Sequence, residues 1–239
     1  MTDHPLDRAV WNSLSTRQAD LCLVRGVARR MKADFGVFAG IPDMAEASLA
    51  DLAALARAHG PLALLQPETT PPLPGVAAEA TPGVQMVALS PAPPVPHAFD
   101  LQPLTDADGP EMLALATLTR PGPFFSRTHQ LGAFVGVREG GRLVAMAGER
   151  LRLPGYTEVS GVCTDPDHRG RGLADALVRA IAAGIVARGE TPFLHSYADN
   201  AGAIRLYETL GFRLRREVMA TLLAPIDPDA GAEVTPLHF

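Results

Sequence analysis

Residues 158–174, EVSGVCTDPDHRGRGLA, constrain this chain more than any other stretch. A β-prone run leads into a turn holding Pro166, and a basic, glycine-rich entry then opens onto a long helix. Gly170 and Gly172 carry no Cβ, so the backbone there can come close to a ligand. The first N–H groups of the following helix lack intrahelical acceptors. Arg169 and Arg171 add positive charge at the positive end of the helix dipole, which favours a phosphate or pyrophosphate. A P-loop is excluded, because no Lys-hydroxyl pair follows the glycines. A dinucleotide fingerprint starting at Gly170 would need a small residue where the chain has Asp175.

Arg169, Gly172 and Ala174 fill the pattern Arg or Gln, x, x, Gly, x, Gly or Ala. Taken alone, that pattern also fits a helix start with two solvated arginines. A second pattern lies downstream in NAGAIRLYETLGF, where Asn200, Ala203, Leu206, Tyr207, Glu208, Gly211 and Phe212 match. The two, in order and separated by one helix and one strand, resemble the acetyl-coenzyme A loop and the later segment of the GNAT superfamily of N-acetyltransferases. The resemblance covers residues 98–225.

The chain has 239 residues, 47% of them hydrophobic, enough for one large or two small domains with a real core. A formal charge of −5 argues against a general nucleic-acid binder, and the lone RGRG string lacks aromatic interleaving. Cys22 and Cys163 show no paired spacing, so neither a zinc site nor a disulfide framework is indicated and a reducing compartment fits. The seven histidines are scattered, and no metal site is expected. Asp3, Asp7 and Arg8 interrupt the amino terminus, and no window reaches the length of a membrane helix. Cytoplasmic is the expectation.

Along the chain, residues 1–20 read as helical, LCLVRG and FGVFAGI as strands, and 44–59 as a helix stopped by Gly60-Pro61. The runs LALLQ and VQMVALS come next. PAPPVPH, residues 91–97, reads as a stiff extended connector. The division expected is a smaller α/β half in 1–95, a GNAT domain in 96–225 and a tail in 226–239. The first half could be a degenerate GNAT-like copy, as in family members similar to glycine N-acyltransferases. From 98 the order is a strand (FDLQPL), a helix capped by Asp106 or Asp108, an irregular stretch over 121–131, and a hairpin turning at Glu139-Gly140-Gly141. A central strand over 156–164, the long helix, the strand FLHSY, a helix capped by Asn200, and FRLRREVMATLLA as one or two strands complete it. The fold expected is α/β (α+β), with a GNAT-like mixed, mostly antiparallel sheet flanked by helices.

The resemblance implies that backbone N–H groups of Arg169, Gly170, Arg171, Gly172, Leu173 and Ala174 bind the coenzyme A pyrophosphate. It implies also that the pantetheine arm lies along the central strand as an extra strand, its amides pairing with Val162 and Thr164. Cys163, between them, then turns to the opposite face as a small core residue. Asn200, with Ala203 in the same segment, would touch the coenzyme. Tyr207 is the candidate proton donor to the leaving thiolate, since a phenol stays protonated at neutral pH. Glu158 shares strand parity with Ser160, Val162 and Thr164 and is the candidate base, with His195 the alternative. The expected activity is direct transfer of an acetyl group from acetyl-CoA to a primary amine of a small molecule or peptide, in a ternary complex. The alternative is a non-catalytic coenzyme A-binding regulatory or scaffolding module, which needs neither Tyr207 nor Glu158. Acyl-chain preference and oligomeric state are not encoded in any motif.

Overall fold

A computed structural model describes residues 4–226, which contacts divide into two compact units. One comprises residues 4–33, 37–83 and 216–226, the other 34–36 and 84–215. The tail expected from 226 lies outside the described residues, apart from exposed Ile226. None of the described helices is long and apolar enough to cross a membrane.

In the first unit α1 (Ala9–Ser15) is shorter than its apolar stripe suggests, because 3-10 turns at Pro5–Arg8 and Ala19–Leu21 take up its flanks. β1 (Cys22–Arg25), β2 (Ala28–Met31) and β3 (Ala39–Gly40) form a three-stranded antiparallel sheet. β3 is only two residues of the longer strand expected there. A Cβ on Gly40 would lie 2.5 Å from the Trp11 backbone nitrogen, so glycine is what lets α1 seat on this strand. α2 (Glu46–His59) ends at Gly60, φ +81°, and buries Leu52 and Leu55 with Ile41, Leu62 and Leu64. β4 (Leu62–Gln66) and β5 (Val76–Val87) come next, the run at 84 being the end of this longer strand.

The main stretch of the second unit begins within β5, at Val84. The proline-rich stretch 91–97 belongs to it and is fastened by hydrogen bonds. The Ala92 N–H donates to the Leu210 carbonyl at 2.9 Å, and Arg179 Nη1 donates to the Pro93 carbonyl at 2.9 Å. The contacts therefore place 84–95 in the second unit and 216–225 in the first, whereas the sequence suggested a linear boundary at 95/96.

β6 (Gln102–Leu104) leads to α3 (Gly109–Thr119), entered through a capping box between Thr105 and Asp108. Then come β7 (Phe134–Glu139), β8 (Arg142–Leu153), β9 (Tyr156–Thr164), α4 (Leu173–Ala187), β10 (Thr191–Tyr197), α5 (Ala201–Thr209) and β11 (Arg213–Pro225). β11 is one strand, and its later residues pair antiparallel with β4 in the first unit, from Met219↔Gln66 to Leu223↔Leu62. Gly140 and Gly141, φ +57° and +81°, make the β7–β8 turn that a residue with a Cβ would strain.

Strand order in the second unit is β5-β10-β9-β8-β7-β6, antiparallel from β6 through β9, with β10 parallel to β9. This mixed, mostly antiparallel sheet is covered on one face by α4, whose Leu173, Leu177, Ile181 and Ile185 pack with Val144, Val159, Leu194 and Phe212. α3 covers the other face, where Met112 and Leu115 meet Phe134, Met146 and Cys163. With these side chains buried at about 1.5–3 kcal/mol each, the two apolar layers fix β8 and β9 at the centre.

Candidate active site

β9 carries one residue more than its partner: Met146↔Cys163 is followed by Gly148↔Ser160, two steps on β8 against three on β9. The extra residue falls at Gly161, φ +62°, an ordinary conformation only for glycine. Phe134 roofs this bulge. Its ring would lie 2.3 Å from a Cβ on Gly148 and 3.1 Å from one on Gly161, and it meets Phe124 edge-on at 5.9 Å.

The bulge resets which side chains share a face. Val159 and Val162 both pack on the α4 side, while Cys163 joins the α3-side cluster. Glu158 and Ser160, one step before the bulge, therefore face away from Val162 and Thr164. The parity expected for Glu158 does not hold, because simple alternation counts straight through the extra residue.

On the β10 side, pairing runs only from Thr191↔Tyr156 to Phe193↔Glu158. Beyond it the two strands part, and residues 159–164 have no backbone partner on that edge among the described residues. An open strand edge of this kind accepts an extended, amide-bearing chain. The strand then runs into Asp165, whose carboxylate accepts from the Asp167 N–H at 3.0 Å and is held below the usual range by that bond. Gly170 (φ +76°) and Gly172 (φ +83°) turn the backbone into α4, and a Cβ on either would meet nothing within 4 Å. The space beside both glycines is therefore open. Arg171 is held by Glu139 of the β7–β8 hairpin, 3.0 Å from Nη1 to Oε2, and that pairing keeps the Glu139 carboxyl low. Arg169 is exposed, and its Nε donates to the Thr164 carbonyl at 3.4 Å.

On the α3 face lies a pocket with walls from Pro121, Pro123, Phe124 and Phe134, and with Arg150, Ser160 and Gly161 at its base. Arg150 clasps Glu158 with two bonds, Nε to Oε2 at 2.8 Å and Nη2 to Oε1 at 2.7 Å. His195 Nδ1 lies 2.7 Å from Glu158 Oε1, and its Nε2 lies 3.0 Å from the Gln85 amide nitrogen. Gln85 Oε1 accepts from Arg215 at 2.7 Å, which aims its NH₂ at the imidazole. The ring is thereby held with its proton on Nδ1, donating to the carboxylate. Arg150, Glu158, His195, Gln85 and Arg215 thus form a polar line with one residue from each of five neighbouring strands. Glu158 is 0% exposed, and although burial alone would raise its pKa, the Arg150 charge and the bonds from Arg150 and His195 lower it to about 2. A fully clasped anion of that acidity cannot take a proton near neutral pH, so the role of base expected of it does not fit its surroundings.

Tyr207 on α5 packs against the α4-side core, edge-on to Phe212 at 6.1 Å, and burial pushes its phenol up to about 12. Asn200 caps α5, its Oδ1 accepting from the Ala203 N–H at 3.2 Å. Cys163 is buried, its thiol pushed up to about 11 by that burial.

Residues 134–220 match the family model described as FR47-like protein. A crystal structure from Novosphingobium aromaticivorans, described as an acetyltransferase of the GNAT family, is 49% identical to this chain. It superposes with a TM-score of 0.88, over 94% of this chain and 100% of that one. The chain belongs to the GNAT family. Among curated relatives, the N-alpha-acetyltransferase RimI of Mycobacterium tuberculosis is 40% identical over 83 residues, 34% of this chain and 51% of that protein. Mycothiol acetyltransferase of Mycobacterium avium is 39% identical over 82 residues, 30% of this chain and 26% of that protein. The aligned part thus spans about half of one relative and a quarter of the other.

Of the residues that the sequence singled out, Val162, Leu173 and Tyr207 share the α4-side cluster. Val162, Thr164 and the turn from Arg169 to Ala174 lie along one continuous edge, and Cys163 turns away from it into the core. Arg150, Ser160 and Gly161 were missed. A glycine inside a strand pattern signals a bulge, and a charged residue in an apolar strand signals a buried partner, so both had a readable sign.

Proposed function

We propose that this GNAT-family chain transfers an acetyl group from acetyl-CoA directly to a primary amine, in a ternary complex on the β9 edge. The observation that carries the reading is the parting of β9 from β10 after Glu158, immediately before the glycine turn into α4. The edge and the cradle fit acetyl-CoA: backbone groups of Val162 and Thr164 would pair with the pantetheine amides, and the N–H groups from Gly170 to Ala174 with the pyrophosphate. Bound there, acetyl-CoA supplies an activated acyl thioester. Asn200 and Ala203 would flank it from the start of α5.

The bulge at Gly161 would leave a backbone N–H outside the ladder to β8, to serve as a donor for the developing oxyanion. Tyr207 would give its proton to the departing sulfur, a phenol serving because it stays protonated at every working pH. Glu158 would position Arg150 and His195 rather than touch the amine. The α3-face pocket would take the acceptor, a small molecule or peptide. Both described cysteines are unpaired, as suits a reducing, cytoplasmic setting. Incubating the protein with acetyl-CoA and a panel of primary amines, while following free thiol release and acetylated product, tests the reading. Product formation supports it; acetyl-CoA binding with no product from any amine would return the chain to a binding module.

A further inference from the structure

We propose that Phe134 and Phe124 set the length of acyl group this chain accepts, seating an acetyl group and turning away propionyl and longer ones. The proposal rests on the acetyltransferase reading above and deepens it, by assigning the residues that choose the acyl donor.

With the pantetheine amides paired to Val162 and Thr164, the thioester would come next along the strand, beside the bulge at Gly161. Over that bulge, on the α3 side, stand two aromatic rings. A Cβ on Gly161 would lie 3.1 Å from Phe134 Cε1, 3.6 Å from its Cζ and 3.8 Å from Phe124 Cε2. Carbon atoms attract best at about 3.5–4.0 Å, so a single carbon at that point already touches both rings. The space above Gly161 is one carbon deep, and a second carbon has to displace a ring.

Both rings are held. Phe134 is 4% exposed, packs with Met112, Leu115, Met146 and Cys163, and lies so close over Gly148 that a Cβ there would come within 2.3 Å of it. An interior packed to this density yields little to an added methylene. Phe124 meets Phe134 edge-on, the ring planes at 85°, and follows Pro121 and Pro123, which line the same pocket and whose fixed φ stiffens the stretch.

The sign of the effect separates a wall from open room. In a roomy apolar pocket each further methylene tightens binding, because it leaves water. Against a wall it weakens binding, and a pocket discriminates one ill-fitting methylene by about 10- to 200-fold.

Calorimetric titration of coenzyme A, acetyl-CoA, propionyl-CoA and butyryl-CoA into the wild type, Phe134→Leu and Phe124→Leu tests this without an acceptor amine. The wild type is expected to bind acetyl-CoA at least about 10-fold more tightly than propionyl-CoA, and butyryl-CoA more weakly still. In each leucine variant propionyl-CoA should come within about threefold of acetyl-CoA, while coenzyme A, which has no acyl group, keeps its wild-type affinity within about threefold. Should Phe134→Leu fail to fold, Phe124→Leu, at a partly buried position, reads the same ratio. Propionyl-CoA bound by the wild type as tightly as acetyl-CoA would overturn the proposal. So would a ratio that the leucine variants leave unchanged, or a loss of affinity shared equally by coenzyme A and its acyl forms, which marks a merely structural ring. Failure of the wild type to bind coenzyme A would instead remove the acetyltransferase reading, and the proposal with it.

Discussion

Replacing Glu158 with Gln keeps its size and removes its charge from the centre of the polar line. In the folded protein its pKa lies at about 2, against an ordinary 4.5, so the anion is stabilised by about 3 kcal/mol relative to the unfolded chain. Because the folded value is the lower one, that stability is fully present above pH 4.5 and is lost as pH falls toward 2. By pH 3 about 2 kcal/mol of it is gone. Gln cannot ionise, so the variant lacks this dependence, while titrating groups that do not touch residue 158 are common to both proteins and cancel in the difference. Urea unfolding of both proteins should give a stability gap of about 3 kcal/mol at pH 7 that closes to about 1 kcal/mol at pH 3. A gap of the same size at both pH values would mean that Glu158 is not held as a clasped anion, and the argument against its acting as a base would fail with it.

Tyr207→Phe should lower kcat by roughly 100-fold while leaving acetyl-CoA affinity within about threefold, as single-turnover and binding measurements would show. Gly148→Ala drives a methyl into the Phe134 ring and should cost about 1–3 kcal/mol in urea unfolding, with the acceptor KM rising as the ring moves. In the native protein, a thiol reagent should label Cys22 first and Cys163 only slowly, because Cys163 is buried with its thiol pushed up to about 11; both should react at once in urea.

Legibility followed the range of the interactions. The α4 stripe, the Asn200 cap and the β7–β8 turn are set by residues within a few positions of one another, and each lies where spacing and turn chemistry put it. Gly170 and Gly172 were readable for the same reason, since their positive φ is a local demand. The orientation of Glu158 was not, because it depends on a one-residue mismatch between β8 and β9 that neither strand reveals alone. Arg150 and Gln85 find their partners across strands, 8 and 110 residues away in the chain, so their burial is set by register. The affiliation of residues 84–97 was obscured by proline: the stretch is extended, as proline dictates, yet its carbonyl and N–H groups bind α4 and the Leu210 turn.

The central claim, that the β9 edge and the glycine turn into α4 hold acetyl-CoA, is tested most directly by calorimetric titration of acetyl-CoA into the wild type and into Gly172→Trp. A Cβ at Gly172 has open space around it, so the indole should occupy the cradle and leave the core undisturbed, apart from about 1 kcal/mol of backbone strain. The account predicts micromolar binding by the wild type and its loss in a variant whose circular dichroism is unchanged. Equal binding by the two proteins would place the cofactor elsewhere and contradict it.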